Sequence, residues 1–253
     1  MIKGKNSIFG IRAVMEAIRA GKEIDKVLIQ RGLNNPLIKE LHQTNKEFGI
    51  PYQYLPAEKF KQWDSKNHQG VVAFLSEITY FDIESILPGI YEDGEDPFIL
   101  ILDHITDVRN FGAIARTAEC AGVHAIIIPD KGNASINADA IKASAGALHK
   151  IPICRSKSLY NTIKLLKDNG LQIIAASEKS TIGYNSVHYI KPTAIILGSE
   201  EQGISPQLLA ISDLLISIPI YGSIESLNVS VAAGILLYEM IRQKKLINVE
   251  LND

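Results

Sequence analysis

The chain has 253 residues, 46% hydrophobic and 21% charged, with ten prolines and eighteen glycines. That composition suits a globular protein and excludes collagen-like and low-complexity chains. Its net charge of −2 divides unevenly: residues 1–77 carry 12 Lys+Arg against 8 Asp+Glu, residues 78–96 carry 6 acidic and no basic residues, and residues 97–253 carry 14 of each.

No apolar run approaches the roughly 20 residues needed to cross a bilayer. The basic start, residues 1–6, leads into no apolar signal-peptide core. Cys120 and Cys154 lie far apart and form no CxxC pair, which speaks against a disulfide scaffold or a cysteine-built zinc site. The chain reads as cytosolic. An excess of four positive charges over 77 residues is, taken alone, an ordinary solvated surface as readily as a nucleic-acid face.

In chain order, the first region alternates helical and strand-like patterns. Ile11, Val14, Ala17 and Ile18 share a helical face, followed by the strand-like Lys26-Val27-Leu28-Ile29. A helix over 37–48 leads to Tyr52-Gln53-Tyr54-Leu55, and a segment at 57–63 leads to Val71-Val72-Ala73-Phe74. This predicts a small α/β domain over residues 1–77. Residues 78–96 hold the turn dipeptides Pro88-Gly89 and Asp93-Gly94 and no basic residue, the composition of a linker.

From 97 onward the apolar runs are continuous, at 98–102, 125–128, 171–175, 194–197 and 214–218, as expected of strands buried on both faces. Helical segments at 111–121, 137–148, 158–169 and 228–245 separate them. The whole is therefore α/β: a small N-terminal α/β domain, an acidic linker and a C-terminal mostly parallel sheet domain over 97–253.

There is no GxGxxG, GxxxxGK[ST], GxSxG or HExxH, so the simple dehydrogenase, P-loop, serine-hydrolase and zinc-protease readings fall away. His42, His68, His104, His124, His149 and His188 show no ligand spacing and read as surface or locally satisfied side chains rather than metal ligands. Three polar clusters remain, each at the end of a buried strand, where parallel sheets bind their ligands.

In the first, Asp103 to Ala118, Asn110 is placed to cap a helix, Gly112 permits close backbone approach, and Arg116 follows on that helix. Alone, this is also simply a capped helix with a solvated arginine. In the second, Leu197-Gly198-Ser199-Glu200-Glu201-Gln202-Gly203 precedes a Ser205-Pro206 helix start, with Ser205 as cap. Gly198 leaves room for a ligand against the backbone, while the two glutamates equally suit solvent. In the third, the strand breaks at Ile218-Pro219. A loop then carries Ser226 and Asn228 into a helix of small residues, which implies close packing within the chain or at a dimer interface.

In this order the clusters resemble the SpoU/TrmH family of RNA ribose 2′-O-methyltransferases, within the SPOUT class. The matching elements are Asn110-x-Gly112-Ala113-Ile114-x-Arg116-Thr117-Ala118, Leu197-Gly198-Ser199-Glu200-x-x-Gly203, Ile218-Pro219, and Ser226-Leu227-Asn228-Val229-Ser230-Val231-Ala232-Ala233-Gly234. Ile8-Phe9-Gly10-Ile11-Arg12-Ala13-Val14 and His68-Gln69-Gly70-Val71-Val72-Ala73 resemble the family's accessory substrate-binding domain. The arrangement looks most like the bacterial RlmB-type enzymes, which modify a guanosine of 23S ribosomal RNA. Val108-Arg109 stand where the family often has proline before the asparagine.

The resemblance implies a deep trefoil knot in the sheet domain that forms an S-adenosylmethionine pocket, although knots are nearly absent from proteins. It places the cofactor against Leu197, Gly198, Ile218 and Leu227, with Gly203 and Pro219 shaping the loops. It also implies a homodimer acting on structured RNA, not on DNA or membranes. Arg116 would be the catalytic arginine, with Asn110, Glu200, Ser226 and Asn228 positioning substrate and loops, and no metal. Because a guanidinium keeps its proton, Arg116 is expected to bind a phosphate or the developing alkoxide. A tRNA ribose as target, or a non-catalytic RNA-binding module, are the other readings of the same sequence.

Overall fold

The computed structural model describes residues 7–189 and 191–250, with side chains described as far as Lys244; the basic segment at 1–6 lies outside them. Among the described residues, no helix is long and apolar enough to cross a membrane. The chain forms two compact units, Met1–Thr79 and Tyr80–Asp253.

The first unit is a four-stranded sheet in the order β1-β4-β2-β3, built from β1 (Ser7–Phe9), β2 (Ile24–Gln30), β3 (Tyr52–Leu55) and β4 (Val71–Leu75). The β1/β4 and β2/β4 pairs are antiparallel and β2/β3 is parallel. Side chains alternate across a strand. Val27, Ile29, Val71 and Ala73 therefore pack against α1 (Ile11–Arg19) and α2 (Pro36–Glu47), while Leu28 and Val72 meet Phe60 and Trp63 on the other face. The Asn35 side chain caps α2 by accepting from the Ile38 amide at 3.0 Å, with Pro36 in its first turn.

The two motif segments of this unit meet. Gly10, at φ +92°, opens α1 and donates its amide to the Val71 carbonyl at 3.0 Å. Gln69 Oε1 accepts from the Ile11 amide at 3.2 Å, and His68 Nδ1 accepts from the Gly70 amide at 2.8 Å. These side chains bond to backbone inside their own unit.

The second unit is a seven-stranded sheet in the order β11-β9-β10-β6-β7-β8-β5, all pairs parallel. Its strands are β5 (Tyr80–Phe81), β6 (Phe98–Asp103), β7 (Ala125–Pro129), β8 (Ile153–Ser156), β9 (Gln172–Ala176), β10 (Thr193–Gly198) and β11 (Leu214–Ile216). Every residue of β6 is buried, as the uninterrupted apolar run predicts. The helices are α3 (Ile83–Glu92), α4 (Val108–Cys120), α5 (Ala138–Ala143), α6 (Leu159–Asp168), α7 (Pro206–Ile211) and α8 (Val229–Glu250).

The expected linker at 78–96 is corrected by these elements. Tyr80–Phe81 extends the sheet edge beside β8, and Ile83, Leu87 and Ile90 bury one stripe of α3 in the core of the second unit. The acidic residues face outward around that stripe. Pro88 sits inside α3 on its exposed side, so the carbonyl it leaves unbonded stays open to water. Gly94, at φ +76°, lies just beyond the helix's last residues, a position suited to terminating it rather than marking a linker turn.

Other boundaries also moved. The helix expected over 137–148 stops at Ala143, where Ala145 (φ +49°) and Gly146 (φ +88°) leave the right-handed region. Strand β8 is short and carries Arg155 and Ser156, so it left no apolar run to read. Cys154 on β8 is buried; that burial, with the Asp82 carboxylate adding to it, pushes its thiol up to about 12. Gly234 faces Thr117, so the small-residue stripe of α8 packs on α4 within the chain.

Candidate functional site

The carboxyl ends of β6, β10 and β11 carry the three polar clusters. The helix of the first begins earlier than expected: Asp107 caps α4, its Oδ1 accepting from the Arg109 amide at 2.7 Å and the Asn110 amide at 2.9 Å. Asn110 is therefore not the cap. An aspartate three residues upstream reaches the same free amides, and this releases the asparagine side chain for a longer contact.

That contact joins all three clusters. Asn110 Nδ2 donates to Glu200 Oε1 at 2.9 Å, and Asn228 Nδ2 donates to the same oxygen at 2.8 Å and to Asn110 Oδ1 at 2.9 Å. The Val229 amide at the start of α8 also points to Glu200 Oε1, at 3.2 Å. Asn228 Oδ1 accepts from the Ser230 amide at 2.9 Å and so caps α8. A single carboxylate thus gathers side chains that lie 90 and 28 residues away in sequence, together with a helix-terminal amide whose dipole favours negative charge.

Beside this junction lies a cavity of about 360 Å³. Leu197, Gly198, Gly203, Ile218 and Leu227 line it, as do Glu200 and Ser226. Pro219 is outside the lining and exposed. Glu178, Glu200, Glu201 and Glu225 face the cavity against one lysine, Lys179, giving an apolar floor with an acidic rim. Arg116 is exposed, lines neither this cavity nor the one described next, and has no hydrogen bond or ion pair with a described residue. Six positions beyond Asn110 on α4, it points to another face of the helix.

Gly198 lines the cavity and has a second role besides. A Cβ there would lie 2.1 Å from the Gly203 carbonyl carbon and 2.3 Å from the Ile204 amide nitrogen. The loop folds back over its own first glycine, closed by the Gly203 amide donating to the Ser199 carbonyl at 2.9 Å. Gly112 does carry the close approach expected of it: a Cβ would lie 2.5 Å from Ala143 Cβ on α5.

A second cavity, about 550 Å³, opens on the other side of Glu200; Asn110, Asp107, His104 and Gly132 line it. Sequence reasoning gave no role to Asp103, which adjoins the cavity-lining His104. Asp103, 1% exposed at the end of β6, accepts from the Ser205 amide at 2.7 Å and the Ser205 hydroxyl at 2.6 Å, and from His104 Nδ1. Ser205 therefore does not cap α7 with its side chain. The available signal was a polar pair ending an apolar strand. Beyond β7, burial holds the Asp130 carboxyl above its usual range, opposed by Arg155, Lys157 and Lys131.

The sequence profile of the SpoU rRNA Methylase family matches residues 97–238, and that of the RNA 2′-O ribose methyltransferase substrate-binding domain matches residues 7–81. The chain is similar to YacO of Bacillus subtilis, named as a TrmH family tRNA/rRNA methyltransferase: 32% identical over 237 residues, 94% of this chain and 95% of the relative. Among solved structures it resembles an AdoMet-bound rRNA methyltransferase from Sinorhizobium meliloti, at 25% identity and TM-score 0.60, covering 94% of this chain and 87% of that one. It also resembles the TrmH/SpoU tRNA modifying enzyme of A. aeolicus, at 33% identity and TM-score 0.56, covering 66% and 86%.

Proposed function

We propose, for a chain that belongs to the SpoU methylase family and is thus an S-adenosylmethionine-dependent RNA ribose 2′-O-methyltransferase, that the target is a guanosine of 23S ribosomal RNA and that the three joined clusters form its transfer site. The observation that carries the site is the Asn110–Glu200–Asn228 junction, placed where the two cavities meet.

The residues of the first cavity fit the cofactor. Its apolar floor suits an adenosine and its acidic rim suits a molecule bearing a sulfonium and an ammonium. S-adenosylmethionine supplies an already activated methyl group. Leu197, Gly198, Ile218 and Leu227 would hold it, while the Gly198–Gly203 closure and Pro219 fix the surrounding loops. Glu200, by drawing on Asn110, Asn228 and the Val229 amide, keeps three loops in register so that the ribose oxygen meets the methyl in line. Ser226 would position substrate from the cavity wall.

Arg116 would bind an RNA phosphate or the charge growing on the oxygen. It shares the exposed side of α4 with Arg109, and α8, which packs on α4, exposes Val231 and Tyr238 at 51% and 52%. That apolar face suits a second copy of the chain, and the homodimer would complete the surroundings of Arg116. The knotted path is proposed from the family resemblance, and α8 contacts the segment before β10, where Gln243 donates to the Val187 carbonyl and accepts from the Tyr189 amide. The first unit would grip folded RNA through phosphate contacts, in keeping with its excess of basic residues. The 2′-hydroxyl itself excludes DNA as substrate. Such a substrate places the enzyme in the cytoplasm.

Mapping 2′-O-methyl positions in total RNA from a deletion strain tests this reading. One mark in 23S ribosomal RNA should vanish, return with the wild-type gene, and stay absent with Arg116→Ala. A lost tRNA mark would move the target, and restoration by Arg116→Ala would remove the arginine from the site.

A further inference from the structure

Methylating a 2′-hydroxyl releases a proton, and a guanidinium cannot take it up. The proton therefore goes to water or to a side chain beside the oxygen. The second cavity shares Ser199, Glu200, Glu201, Gln202 and Val229 with the first, so a ribose seated there would face a methyl group held in the other. Its titratable side chains are Asp107, Glu200, Glu201 and His104. Asp107 is occupied as the cap of α4, and Glu200 Oε1 already accepts three bonds. Imidazole also suits proton uptake near neutral pH better than a carboxylate does.

We propose that His104, oriented by Asp103, is the general base that takes the 2′-hydroxyl proton from a nucleotide bound in the second cavity; this rests on the transfer reaction proposed above. The Asp103 carboxylate is buried and pinned by both polar groups of Ser205. A carboxylate only accepts, so its bond with His104 Nδ1 puts a proton on that nitrogen, and in the neutral ring the lone pair is then on Nε2. Nε2 has no hydrogen-bond partner among the described residues.

The backbone makes a special provision for this ring. His104 sits at φ +60°, a conformation costly for a residue with a Cβ and kept only where its surroundings enforce it. Gly132 lies against the imidazole: a Cβ there would fall 2.7 Å from His104 Cδ2. The side chain remains 48% exposed toward the cavity. The charged groups around it are Asp103 on β6, Asp107 at the start of α4, and Glu200 and Glu201 after β10; Lys131 precedes Gly132 in the chain.

The step balances. As the ribose oxygen bonds the methyl carbon, its O–H bond breaks toward Nε2. The carbon–sulfur bond breaks with its electron pair left on sulfur. The positive charge passes from the sulfonium to the imidazolium, which returns its proton to water.

Single-turnover methyl transfer to total RNA from a deletion strain, at saturating S-adenosylmethionine and varied pH, tests the assignment in the full-length protein. The wild-type rate should rise with pH along an ascending limb, as a base must first lose its proton. His104→Gln should cut the rate about a hundredfold and flatten that limb, with cofactor affinity by calorimetry unchanged. A His104→Gln protein that keeps the limb overturns the proposal, whether its rate is lowered or not. If the wild-type protein transfers no methyl group at all, the proposed function fails first, and the base falls with it.

Discussion

Each unit brings sequence-distant motifs together, but on different terms. In the first unit, His68 and Gln69 spend their hydrogen bonds on backbone amides of Gly70 and Ile11, closing a turn against the start of α1. In the second, Asn110, Glu200 and Asn228 bond mainly to one another, at strand ends and beside two cavities. Polar side chains satisfied by local backbone hold a fold. Those satisfied by one another next to open space hold a site, because their geometry can couple to whatever enters.

Cutting the chain between the units should have the largest effect. A chain beginning at Tyr80 keeps β5 and α3, whereas one beginning at Glu95 loses both, with the buried Ile83, Leu87 and Ile90. Burying such a side chain contributes about 1.5–3 kcal/mol, an upper estimate. The shorter chain should melt at least about 10 °C lower in a thermal scan. Equal melting temperatures would restore the linker reading of 78–96. The Tyr80 chain should also bind RNA less tightly than the whole protein, with a salt slope smaller by about one for each phosphate that the first unit neutralises.

A smaller effect should separate the two junctions. Glu200→Ala strips the three loops of their shared acceptor, and its S-adenosylmethionine affinity by calorimetry should fall at least about tenfold, a change of about 1.4 kcal/mol. Its stability should drop by only about 1 kcal/mol, because the released amides reach water. Gln69→Ala should cost a similar amount of stability in denaturant titration and leave cofactor affinity untouched. Matching affinity losses in the two variants would erase the distinction drawn between them.

Much of this arrangement was legible in the sequence, for identifiable reasons. Continuous apolar runs give away β6, β7 and β10 because both faces of those strands are buried. Leu197-Gly198-Ser199-Glu200 was legible as a candidate site because a glycine and a carboxylate end such a run. What stayed hidden depended on partners far away in the chain. The apolar stripe of α3 is three residues wide within an acidic segment, and only a neighbouring core shows that it is buried. Gly198 was read for the space it leaves a ligand, while the close approach of the Gly203 and Ile204 backbone to it could not be seen from the sequence. Asn110 looked like a cap because its partners, Glu200 and Asn228, lie 90 and 118 residues away. The Asp103–His104 pair was hidden for the same reason, since Ser205 holds it from 102 residues away.

In the proposed reaction, the cavity between the β10 loop and the segment before α8 holds the methyl donor. Leu227 lines that cavity and is only partly buried, so a larger side chain can enter it without disturbing the core. Calorimetric titration of S-adenosylmethionine into the wild-type protein and Leu227→Trp tests the claim most directly. The wild type should bind one molecule per chain, and Leu227→Trp at least about tenfold more weakly, with an unchanged melting temperature. Wild-type affinity in a folded Leu227→Trp protein would contradict it.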